Sequence, residues 1–137
     1  MLISSGIYLS YNSENGENSS ALLEGFTLTY GGIPPSNSGY GSNGGGIYID
    51  SSSPTINNLI IENSNCHGGG GIYITYNCTS YISNLIIRNN IAEHGAGIYV
   101  TSSLLTDTSP IFTNVEVSNN FGSISGGLHL RDWSNAT

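Results

Sequence analysis

Two short blocks of alternating apolar and polar residues recur along the chain. The first reads Gly45-Gly46-Ile47-Tyr48-Ile49, then Gly70-Gly71-Ile72-Tyr73-Ile74, Ala96-Gly97-Ile98-Tyr99-Val100 and Gly126-Gly127-Leu128-His129-Leu130, with Gly6-Ile7-Tyr8-Leu9 as a degenerate fifth copy. The second reads Ile56-Asn57-Asn58-Leu59-Ile60-Ile61-Glu62-Asn63, Ile82-Ser83-Asn84-Leu85-Ile86-Ile87-Arg88-Asn89 and Phe112-Thr113-Asn114-Val115-Glu116-Val117-Ser118-Asn119, and Leu23-Glu24-Gly25-Phe26-Thr27-Leu28 is its first-coil version. Both blocks repeat with period two, which is the signature of strand, and no stripe of period 3.6 runs anywhere.

The equivalent glycines Gly46, Gly71, Gly97 and Gly127 lie 25, 26 and 30 residues apart, so length changes fall between the blocks and insertions sit in turns. A unit this short holds three strands and no crossover helix. Such strands bury a face only if the chain coils and each strand stacks on its copy about 4.8 Å away. The pattern therefore predicts an all-β, parallel β-helix (β-solenoid) of about five coils with three short strands per coil, occupying residues 1–137 as one domain. The inward set is Ile47, Ile49, Ile56, Leu59 and Ile61 in one coil, Ile72, Ile74, Ile82, Leu85 and Ile87 in the next, and Ile98, Val100, Phe112, Val115 and Val117 after that. Gly25, Asn58, Asn84 and Asn114 share one position between two strands. Gly and Asn both tolerate the left-handed backbone region, which makes this a corner where stacked amides can hydrogen-bond along the axis.

The motifs GGGIYI, SSPTINNLIIENS and the Gly-rich return resemble the right-handed parallel β-helix repeats of the pectate-lyase-like superfold, and within it the repeats of polymorphic outer-membrane proteins and of large bacterial and archaeal surface proteins. The resemblance spans roughly residues 6 to 130. It implies the fold and its right hand, but not one function, because the superfold carries lyases, glycosidases, adhesins and structural stalks.

Composition narrows the partners. Only 8% of residues are charged, 19 are glycine, and two basic residues, Arg88 and Arg131, stand against a net charge of −7. Such a chain cannot neutralise a phosphate backbone, so nucleic acid and anionic membranes are disfavoured and carbohydrate or protein surfaces are better partners. No apolar run approaches the roughly 18 residues of a transmembrane span. No cofactor is implied. Residues 1–5 read as no export signal, so an extracellular or cell-surface location requires one upstream. Cys66 and Cys78 flank a strand and are expected as free thiols, beyond the ~7 Å reach of a disulfide.

The outward columns are where chemistry would sit. A glycosidase needs two carboxyls roughly 5 to 9.5 Å apart, yet Glu24, Asp50, Glu62 and Glu116 fall in four different columns. Glu62 beside Arg88 reads as a cross-coil ion pair, and no catalytic residue is assigned. Tyr8, Tyr48, Tyr73 and Tyr99 share one outward position, continued by His129, as a ladder that either stiffens the sheet or offers an aromatic binding face. Cys66-His67 and Glu93-His94 occupy equivalent turns and offer a weak metal constellation suited to Zn²⁺. Asn18, Asn77 and Asn135 head glycosylation sequons, and the stretches 10–20 and 30–43 are polar loop excursions.

Neither end shows a polar cap, so the chain is expected to be a fragment of a longer solenoid or to stack head to tail with other copies. The leading expectation is a non-enzymatic extracellular structural or adhesive solenoid. Its rivals are a fragment of a carbohydrate-active enzyme with its catalytic coils elsewhere, and a metal-binding module.

Overall fold

A computed structural model describes residues 2–3, 6–10, 21–32, 42–103, 107–132 and 134–137. Among them the chain is an all-β parallel solenoid of about three turns, with no helix. The strands are β1 (Leu2–Ile3), β2 (Ile7–Ser10), β3 (Leu22–Glu24), β4 (Thr27–Thr29), β5 (Ile47–Asp50), β6 (Thr55–Glu62), β7 (Ile72–Thr75), β8 (Tyr81–Arg88), β9 (Ile91–Ala92), β10 (Ile98–Thr101), β11 (Ile111–Ser118), β12 (Phe121–Gly122) and β13 (Leu128–Arg131). The described residues make about three turns where the sequence predicts about five coils. The tyrosine strand is stacked five deep, in the order β13-β10-β7-β5-β2, while the short third strand forms a two-stranded ladder between β12 and β9, extended by the single bridge Asn65–Ile91.

Every pairing is parallel and in the register of the repeats. Ile47 pairs with Ile72 and Ile72 with Ile98; Leu59 pairs with Leu85 and Leu85 with Val115. Ile47, Ile49, Ile56, Ile61, Ile72, Ile74 and Ile87 are wholly inaccessible, so the alternation seen in the sequence is the wall of one continuous core. Each such side chain contributes roughly 1.5–3 kcal/mol relative to exposure, and any one-residue slip would turn a whole column outward.

The long strands β6, β8 and β11 are each bent once, at the corner residue. Asn58, Asn84 and Asn114 have φ of 55, 54 and 53°, and Gly25 in the first coil has 79°. The ladder skips these positions, passing from Asn57–Ser83 directly to Leu59–Leu85. Asn114 Nδ2 donates to Asn84 Oδ1 at 2.8 Å, while Asn84 Nδ2 donates at 2.8 Å to Asn57 Oδ1, not to its column neighbour Asn58.

A second left-handed column ends the same strands: Asn63, Asn89 and Asn119 have φ of 58, 56 and 53°, with Tyr30 at 55° in the first coil. Here the chain turns towards the next tyrosine strand, entered through glycine. A β-carbon on Gly46, Gly71 or Gly97 would collide with the side chains of Ile61, Ile87 and Val117 respectively. Hydrogen at this position lets two walls of the solenoid meet.

Candidate functional site

The outward face of β2, β5, β7, β10 and β13 carries the aromatic column. Tyr8, Tyr48, Tyr73, Tyr99 and His129 are direct register partners. Parallel stacking brings successive rings to van der Waals spacing: Tyr8–Tyr48 and Tyr48–Tyr73 are face to face, at 4.9 and 5.0 Å between centroids. The stack then breaks, and Tyr73–Tyr99 and Tyr99–His129 meet edge to face at 5.0 and 4.9 Å.

The column is not the uniformly open face that alternation suggests. Tyr8 is 61% exposed, Tyr48 and Tyr73 are half-buried, and Tyr99 is only 5% exposed. Tyr99 lies parallel to His94 at 5.8 Å and reaches the space beside Gly68, where any β-carbon would touch its ring. Arg131 Nη1 donates to its hydroxyl at 3.4 Å. Burial, followed by the charge of Asp50, pushes the Tyr48 phenol up to about 12; burial raises Tyr73 as well. At the exposed end, Tyr8, Tyr30, Tyr48, Ser42, Asn43 and Gly44 line an open groove of about 330 Å³.

Beside the covered end sits a second cluster. The turns after Asn65 and Ala92 stack through bridges Asn65–Ile91 and Gly68–His94, and they bring His67, Glu93 and His94 together. One ligand atom from each lies within 4.8 Å of the others. His67 Nδ1 is 3.4 Å from Glu93 Oε2, and His94 Nε2 is 3.9 Å from Glu93 Oε1. Burial lowers the His94 pKa, which favours its neutral ring.

Cys66 does not join them, contrary to the constellation read from the sequence. Its side chain points inward, is fully buried with Ala92 and Ala96, and donates to the Gly68 carbonyl at 3.3 Å. Burial pushes its thiol up to about 11, away from the thiolate a metal needs. Both cysteines are free.

The acidic residues stay dispersed. Among the described residues Glu24 aligns with Asn57, Asp50 with Thr75, Glu62 with Arg88 and Glu116 with Ile86, so no strand column sets two carboxylates on neighbouring coils. Arg88 Nε contacts Glu62 Oε2 at 2.8 Å, a surface pair worth about 0–1 kcal/mol. Asn77 and Asn135 are exposed; Asn18 and most of the two loop excursions lie outside the described residues. No described helix is long and apolar enough to cross a membrane.

Comparison with protein-family models, with curated proteins and with solved structures found no match.

Proposed function

We propose that the chain is a non-enzymatic, extracellular or cell-surface solenoid of the right-handed, pectate-lyase-like kind, acting as a structural and adhesive element. The observation that carries this reading is the gradient along the aromatic column. Three stacked rings, open at Tyr8 and closing towards Tyr99, run into a groove edged by a further tyrosine, an asparagine and a serine. Flat rings beside amide and hydroxyl groups suit the apolar face and hydroxyls of a neutral sugar. The near absence of basic charge and the dispersal of the carboxylates support binding over cleavage.

The test is a glycan-array and cell-binding assay run beside thermal unfolding on Tyr8→Thr and Tyr48→Thr. Tyr8→Thr removes an exposed ring, so binding is lost while the melting temperature moves little. Unchanged binding in both variants leaves the chain a stalk, and polysaccharide cleavage by a longer stretch of the same protein would favour the enzyme reading.

End-to-end assembly belongs to the same proposal. Leu128 and Leu130 continue the fully lined columns of Ile98 and Val100, yet are 47% and 45% exposed. A further coil presenting the same alternation, from a longer chain or from a second copy, would cover them. Sedimentation of the wild type against Leu128→Lys tests this: concentration-dependent growth that the lysine abolishes is expected, and a monodisperse monomer counts against it.

A further inference from the structure

We propose that His67, Glu93 and His94 form a binding site for one borderline divalent transition-metal ion, Zn²⁺ foremost, that clamps two successive coils at their turns. Two imidazoles and a carboxylate are a ligand set that Zn²⁺ takes with a fourth position left to water. Tetrahedral Zn²⁺ with ligands at about 2.0–2.1 Å sets them about 3.3 Å apart; His67 Nδ1 and Glu93 Oε2 already stand at 3.4 Å. Glu93 Oε1 stands 3.9 Å from His94 Nε2, about 0.6 Å beyond that spacing, so ion binding requires the Glu93 and His94 side chains to draw together.

The backbone holds the three in place. The Glu93 and His94 amides both donate to the His67 carbonyl, at 2.9 and 3.2 Å, and Gly69 N donates to the His94 carbonyl at 3.0 Å. The backbones of His67 and of Glu93, 26 positions apart in the chain, are thus held together before any ion arrives, which lowers the ordering cost of binding.

An independent sign is the state of the ring nitrogens. His67 Nδ1 and His94 Nδ1 are shielded from solvent and hydrogen-bond to nothing in the protein, the approach of Glu93 to His67 being misaligned for a hydrogen bond. Buried polar atoms without partners are rare and costly. An ion bound beside Glu93 supplies the missing partner at His67 Nδ1, the ring atom that already faces that carboxylate, while His94 faces it through Nε2.

Isothermal calorimetry of the chelator-treated chain with Zn²⁺ tests the site, alongside imidazole ¹⁵N chemical shifts. One ion per chain is expected, with large shifts of one nitrogen in each of His67 and His94 and a rise in melting temperature. His67→Ala and His94→Ala should each weaken binding by more than about 100-fold, beyond the roughly 10–100-fold cost of losing a merely supporting partner. His129→Gln should retain it. Absence of stoichiometric binding, unmoved imidazole shifts, or full affinity in the His67→Ala/His94→Ala double variant each overturns the proposal. The shifts are read on the wild type, so the result does not depend on any variant folding.

Discussion

Asn120 Oδ1 accepts two hydrogen bonds from Asn90 one coil below, from its backbone amide at 2.9 Å and from its side-chain Nδ2 at 3.0 Å. Asn90 is itself fully buried; its Nδ2 also donates to the Ile61 carbonyl at 3.1 Å, and its Oδ1 accepts from the Ser64 amide at 3.0 Å. One amide therefore satisfies a backbone carbonyl near the end of β6 and a backbone amide just beyond it, at a corner of the solenoid. Asn90→Leu, similar in size, strands these partners and should destabilise by about 1–3 kcal/mol for each group left unpaired, as read from chemical denaturation. Asn120→Leu, at a less enclosed position, should cost less.

The corner of the long strands gives a complementary test. Asn84 holds φ of 54° on an exposed bend, so Asn84→Gly should be tolerated, whereas Asn84→Val should cost roughly 1–3 kcal/mol through backbone strain. Equal midpoints for the two variants would show that the bend does not set the cost.

Alkaline titration should separate the tyrosines. Tyr48 ionises near 12 in the folded chain against 10.0 for a free phenol, because burial disfavours the phenolate. A raised pKa means that the native state holds this proton more tightly. The associated stability is complete below about pH 10 and is lost as pH rises through about 12. Phenolate absorbance of the native chain should show a late-titrating group that disappears on denaturation and loses one proton in Tyr48→Phe.

The thiols should be silent in the native state. Cys66 and Cys78 are both inaccessible, and burial raises both pKa values. Cys78 Sγ donates to the Ser52 carbonyl at 2.6 Å within the core. An aromatic disulfide reagent should label neither in the folded chain and two per chain in denaturant. Rapid labelling of Cys66 without denaturant would contradict its inward placement.

The strand registers were readable because a period of two, repeated in blocks, leaves only one alignment that buries every column. Ile47 on Ile72 and Leu59 on Leu85 follow from spacing alone. The corner at Asn84 was readable because Gly25 replaces it in another coil. The buried Asn90 pairing was less visible, although the run Arg88-Asn89-Asn90 recurs as Ser118-Asn119-Asn120: asparagine is abundant here, and only three dimensions distinguish the amide that turns inward. Tyr99 shows a different limit. Alternation gives the wall on which a side chain starts, but a long ring leaning over Gly68 beside His94 is buried by its neighbours' turns. Cys66 and His67 are adjacent, yet one is buried against Ala92 and Ala96 and the other lies partly exposed beside Glu93, because a turn obeys no two-residue period.

The parallel, one-coil-per-layer arrangement also sets how the molecule yields to force. Traction along the axis loads the interstrand hydrogen bonds end-on, so they break singly from the terminal layer inward, as in unwinding a spring. Each layer released frees one repeat, 25 to 30 residues by the glycine spacing, and at about 3.3–3.6 Å per extended residue that is about 80–110 Å of slack. Under axial load such a solenoid would lengthen in nearly equal steps, one repeat at a time.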